Sequence, residues 1–95
     1  MITIEQAQSI ITALPIEFDT HDFIECFSRN FEREYVEIIH SQIDSNCGIF
    51  KSAHAEIGRF LSKNKSALNI KKDGIENSRN IKGYDSPNQG WEKEI

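Results

Sequence analysis

Apolar residues recur at helical spacing in four stretches before the pattern changes near residue 65. Ile4, Ala7, Ile11 and Leu14 share one phase. Thr3 and Gln6 stand at capping-box spacing in front of it and Pro15 closes it, predicting a helix over about 4–14. Asp19 is a good N-cap for a second helix, with Asp22 at its third position and Phe18 placed to staple onto Phe23. Phe23, Ile24, Phe27, Phe31, Tyr35, Ile38 and Ile39 then stay in phase almost to Ile43. Ser28, Arg29 and Asn30 bring weak helix formers together and Asn tolerates a left-handed helix end, so two helices are expected, about 20–29 and 32–44.

The fourth stretch, about 49–64, divides most sharply into two faces. At about 100° per residue Phe50, Ala53, Ile57, Phe60 and Leu61 form one apolar stripe with His54 at its edge. The opposite face carries Ser52, Ala55, Gly58, Arg59, Ser62 and Lys63, small side chains interrupted by cations. Such a face can lie against another surface. The predicted core runs through Ile11, Leu14, Phe23, Phe27, Phe31, Tyr35, Ile38, Ile39, Phe50, Ile57, Phe60, Leu61 and Leu68.

Beyond Asn64 the helical period disappears. Leu68 to Lys71 alternates apolar and polar, Asp73-Gly74 is a turn signal, and Ile75 to Ile81 offers a return strand, predicting a short basic hairpin over about 67–82. The segment 83–95 is expected to be mostly irregular, with a helical turn at Ser86-Pro87-Asn88-Gln89 and Trp91 docked on the hairpin or a helix. The expected architecture is mainly α with a small C-terminal β-hairpin: a compact four-helix domain, residues 1–95 forming one unit. Ninety-five residues are enough for a single core and too few for two.

Composition adds a lopsided charge. Residues 1–50 hold two basic residues against nine acidic, whereas Lys51–Lys82 holds eight basic against three, so a net charge of −4 conceals a cationic stretch. That pattern suggests an anionic partner for one face or two oppositely charged halves packed together. No stretch has the length or apolarity of a membrane span and no leader pattern precedes the first helix, so no membrane association and a cytoplasmic location are expected. Cys26 and Cys47 form no CxxC motif and read as free thiols.

Constellations that carry chemistry are missing from the sequence. The histidines and cysteines are scattered without paired metal-ligand spacing, the glycines never cluster as in a phosphate loop, and no nucleophile elbow occurs. Neither enzymatic activity nor a cofactor, metal or small-molecule substrate is expected. Two readings of the working face stay open. The first is a non-enzymatic protein-interaction module, self-association as a homodimer included, with the small face packing on a partner. The second is nucleic-acid binding through the basic segment 51–82. The order of helices, a last helix with a small and basic outer face, then a basic hairpin resembles a helix-turn-helix unit with a wing, a winged-helix-like arrangement. That resemblance implies a last helix in the major groove and a hairpin on phosphate. The residues expected to meet either partner are Ser52, Ala55, Arg59, Ser62, Lys63, Lys71, Lys72, Arg79 and Lys82.

Overall fold

Four helices and a three-stranded antiparallel sheet make up the computed structural model, which describes residues 2–94. Helix α1 (Ile4–Ala13) starts at the expected capping box: the Gln6 N–H donates to Thr3 Oγ1 at 3.1 Å and the Thr3 N–H to Gln6 Oε1 at 3.0 Å. Strand β1 (Glu17–Asp19) delivers Asp19 as the cap of α2 (Thr20–Asn30), where the Asp22 N–H donates to Asp19 Oδ1 at 2.8 Å. Helix α3 (Glu32–Ser41) follows after a break at Phe31, whose φ of −131° and ψ of 58° interrupt the helical run. Two helices are therefore present, as the weak formers at 28–30 predict. The hinge, however, is Phe31 and not a left-handed Asn30, which remains helical.

Helix α4 (Ile49–Lys63) turns Ala53, Ile57 and Leu61 completely inward, where they meet Phe23, Phe27, Ile10 and Ile11 in one cluster. The i, i+4, i+8 spacing of these three side chains, close to the helical period of about 3.6, is what makes α4 the central strut of the core. Phe31, Tyr35, Ile39, Phe60 and Leu14 border the core only partly buried. Phe50, expected inside, is 39% exposed at the open end of α4. It is the second residue of α4, and its ring stands beside His54 and under Lys82 of the ribbon's turn.

The C-terminal third departs most from expectation. Strand β2 (Ile70–Arg79) pairs with β3 (Asp85–Lys93), and β3 sits in the middle of the sheet with β1 on its other side. The hairpin read over 67–82 is thus shifted: its turn lies at Asn80–Tyr84, and Asp73-Gly74 is an irregularity within β2 between Lys72 and Ile75. Asn80 builds the real turn, its Oδ1 accepting the N–H groups of Lys82 at 3.0 Å and Tyr84 at 3.3 Å, with Gly83 at a φ of 95°. Ser86–Gln89 is strand, not a helical turn. Pro87 is tolerated because β1 reaches only Gly90–Glu92, leaving the outer edge of β3 unpaired beside it.

Trp91 explains why the tail is drawn in. It is 1% exposed, and its Nε1–H donates to Thr20 Oγ1 at 3.0 Å, while the Thr20 hydroxyl donates to the Gln89 carbonyl at 3.1 Å. Burying an indole contributes more than any pairing available to the exposed run Ile75–Arg79. Next to it, Gly90 is required by close approach. A Cβ there would stand 2.8 Å from the Asp73 carbonyl and 3.3 Å from that of Gly74, because the irregularity in β2 folds over this position. Gly90→Ala should therefore lower stability by about 1–3 kcal/mol, the usual cost of overpacking. Urea unfolding checks this, and an unchanged midpoint would mean that the irregularity yields freely.

Candidate functional site

A groove runs between α4 and the β2–β3 ribbon. One stretch of about 370 Å³ is lined by Thr20, Ala55, Gly58, Arg59, Ser62, Lys72 and Trp91 among others. A second stretch of about 400 Å³ continues to the ribbon's turn, past Phe50, Lys51, Ile81, Lys82 and Tyr84. His54 borders both stretches and joins them. The small residues of α4 are thus the floor of a groove beneath a ribbon. Gly58 is close to α2 as well: a Cβ at that position would lie 3.9 Å from Thr20 Cγ2.

Strand alternation and helical phase sort the sequence-predicted residues. Ala55, Arg59, Ser62, Lys72 and Lys82 line the groove. Ser52 bonds its hydroxyl to that of Ser45 in the preceding loop, Lys63 is exposed beyond the groove's lining, and Lys71 pairs with Glu92 at 3.3 Å. Arg79 stands opposite Asp85 in the ribbon and outside the lining as well. His21, Phe50, Lys51, His54 and Tyr84 are groove residues that the sequence reading did not place there. His54 alone gave a signal, at the edge of the apolar stripe.

No carboxylate lines either stretch among the described residues, although the chain holds 15 acidic side chains against 11 basic. The ion pairs formed by described residues are Arg29–Glu25 and Lys71–Glu92, so Lys51, Arg59, Lys72 and Lys82 all lie without a carboxylate partner. Acidic groups collect elsewhere. Asp73, the next residue after Lys72, lines a separate cleft with Glu17, Asp19, Asp22 and Glu76. Burial raises the carboxyl of Asp22 above its ordinary range, the Asp19 N–H bond opposes the shift, and the Asp19 charge adds to it.

Two histidines are tied into their surroundings by hydrogen bonds. His21 Nδ1 lies 3.1 Å from the Ser78 carbonyl and 2.9 Å from the Ser78 hydroxyl. Its backbone N–H, one of those left free at the start of α2, donates to Asn88 Oδ1 at 2.9 Å, tying α2 to the ribbon. His54 Nε2 lies 2.8 Å from the Tyr35 hydroxyl, with the rings stacked at 5.9 Å. Burial, then the proximity of His21 and Lys82, holds His54 below the usual histidine range, and burial raises Tyr35 above the usual phenol range. The bond to Tyr35 fixes the orientation of the imidazole, whose Nδ1 has no hydrogen-bond partner among the described residues.

A row of cations, in a groove with no acid among its described lining residues, is suited to binding a polyanion. No helix among the described residues is long and apolar enough to cross a membrane. No protein-family model matches the chain, and neither curated proteins nor solved structures give a match.

Proposed function

We propose that the protein binds nucleic acid through the groove between α4 and the β2–β3 ribbon. The observation that carries the reading is the line of Lys51, Arg59, Lys72 and Lys82, all without carboxylate partners among the described residues, in a chain with a net charge of −4. A cleft lined by charges of one sign focuses their field and draws in an anionic partner. Supporting it, a last helix followed by a ribbon beside it is the winged-helix-like order, with α4 as the groove-entering helix and the ribbon as the wing.

Binding of random-sequence duplex DNA at several salt concentrations tests the proposal. Four phosphate contacts should make log K fall with log salt at a slope on the order of −4. Absence of binding at low salt would end this reading.

A protein-interaction role has one observation in its favour. Ile2, Ile38, Ile57 and Phe60 floor a furrow of about 140 Å³ between α3 and α4, rimmed by Glu37 and Glu56. Sedimentation of the free chain alongside the salt series separates the readings: a dimer that ignores DNA supports this second one.

A further inference from the structure

The wing end of the groove combines exposed aromatic and aliphatic side chains with cations. Phe50, Ile81 and Tyr84, respectively 39%, 44% and 64% exposed, surround the cavity of about 400 Å³ together with Lys51, Lys82 and His54. The frame behind them is rigid, because its polar groups satisfy one another. Asn80 Nδ2 donates to Ser86 Oγ at 3.2 Å, Asn88 Nδ2 to Ser78 Oγ at 3.2 Å, and His21 bonds to Ser78. At the mouth, the Lys51 and Lys82 ammonium groups and the Tyr84 hydroxyl have no such bonds among the described residues. Lys82 Nζ lies 5.8 Å from the Phe50 ring centroid, an ammonium held over an aromatic face.

A duplex backbone presents phosphate and sugar at a groove edge, and exposed aromatic faces gain nothing from it. What uses a flat apolar wall and adjacent cations together is a nucleotide whose base has left the stack: the ring lies on the aromatic, the phosphate on the lysines. Resting on the nucleic-acid reading above, we infer that this cavity holds an unstacked nucleotide of a single-stranded segment. Its base lies against Tyr84 and Ile81, and its phosphate meets Lys51 and Lys82. His54, its ring oriented by the bond to Tyr35, presents its Nδ1 edge to the nucleotide. The preferred ligand is then a duplex carrying a single-stranded overhang, with its paired part along Arg59 and Lys72.

Fluorescence anisotropy with three labelled DNAs tests this: a blunt duplex, the same duplex with a short overhang, and the overhang strand alone. The full chain should bind the overhang duplex about tenfold more tightly than the blunt one, as expected for one base stacked on an aromatic side chain. A 2-aminopurine placed at the first unpaired position should change its emission on binding. In Tyr84→Ala both the preference and the emission change should disappear. Tyr84 is largely exposed, so the variant should keep the wild-type thermal midpoint. Equal affinity of the wild type for blunt and overhang duplexes, or a preference that Tyr84→Ala leaves intact, would overturn the inference while leaving duplex binding standing. Absence of binding to all three DNAs would remove the nucleic-acid reading and this one with it.

Discussion

Trp91→Ala should cost about 3–5 kcal/mol of folding stability, the range for emptying a buried aromatic site, out of a total of roughly 5–15. Two losses combine. The indole is 1% exposed in the core, and its removal leaves a void between the central strand and the helices. It also deprives Thr20 Oγ1 of its donor, at the residue that opens α2 and bonds onward to the Gln89 carbonyl. Strand β3 is then held to the helical layer by polar contacts alone, the His21–Asn88, Thr20–Gln89, His21–Ser86 and Lys93–Leu14 bonds. Urea unfolding followed by far-ultraviolet circular dichroism measures the loss. Thr20→Val separates the terms, since it keeps the indole but leaves its N–H buried without an acceptor, at about 1–3 kcal/mol. A Trp91→Ala variant within about 1 kcal/mol of wild type would show that the tail folds without its anchor, contrary to what large core deletions cost.

The helical part of this architecture is legible in the sequence because helix formation is local. Apolar spacing, the boxes at Thr3–Gln6 and Asp19–Asp22, and Pro15 all act within a few residues of one another. The sheet is not. Its central strand, Asp85–Lys93, has no alternating pattern and contains Pro87 and Gly90; it becomes a strand because Trp91 finds a pocket 71 residues away in sequence at Thr20. Asp73-Gly74 is a strong local turn signal that lost to this distant packing and survives only as an irregularity opposite Gly90. The site divides along the same line. Arg59, Ala55 and Ser62 can be read from helical phase, whereas Lys71 and Lys72 are equivalent until the strand register sends one to Glu92 and the other into the groove. Tyr84 and Lys51 meet across the cavity only because the turn lies at Asn80–Tyr84 and not at Asp73-Gly74.

That register makes the sharpest functional prediction. Lys72 lines the acid-free groove beside Arg59, and Lys71, its neighbour in sequence, is paired with Glu92 outside it. Lys72→Ala should weaken duplex binding to a similar degree on all sequences and make the salt slope shallower by about one, because one phosphate contact is lost. Lys71→Ala should leave the slope unchanged, since its ammonium already faces a carboxylate. Arg59 sits on the α4 face turned to the groove, where a guanidinium can reach a base edge, so Arg59→Ala should cost about 1–3 kcal/mol on a preferred sequence and less on random DNA. Reversing the charge goes further: Arg59→Glu with Lys72→Glu puts two carboxylates where phosphates would lie, and specific and non-specific binding should both vanish at 0.1 M salt, where like charges within about 10 Å still repel. Both side chains reach solvent, so the double variant should unfold at the wild-type temperature. If the double reversal binds duplex as the wild type does, or if Lys71→Ala and Lys72→Ala flatten the slope equally, the groove is not the path of the nucleic acid.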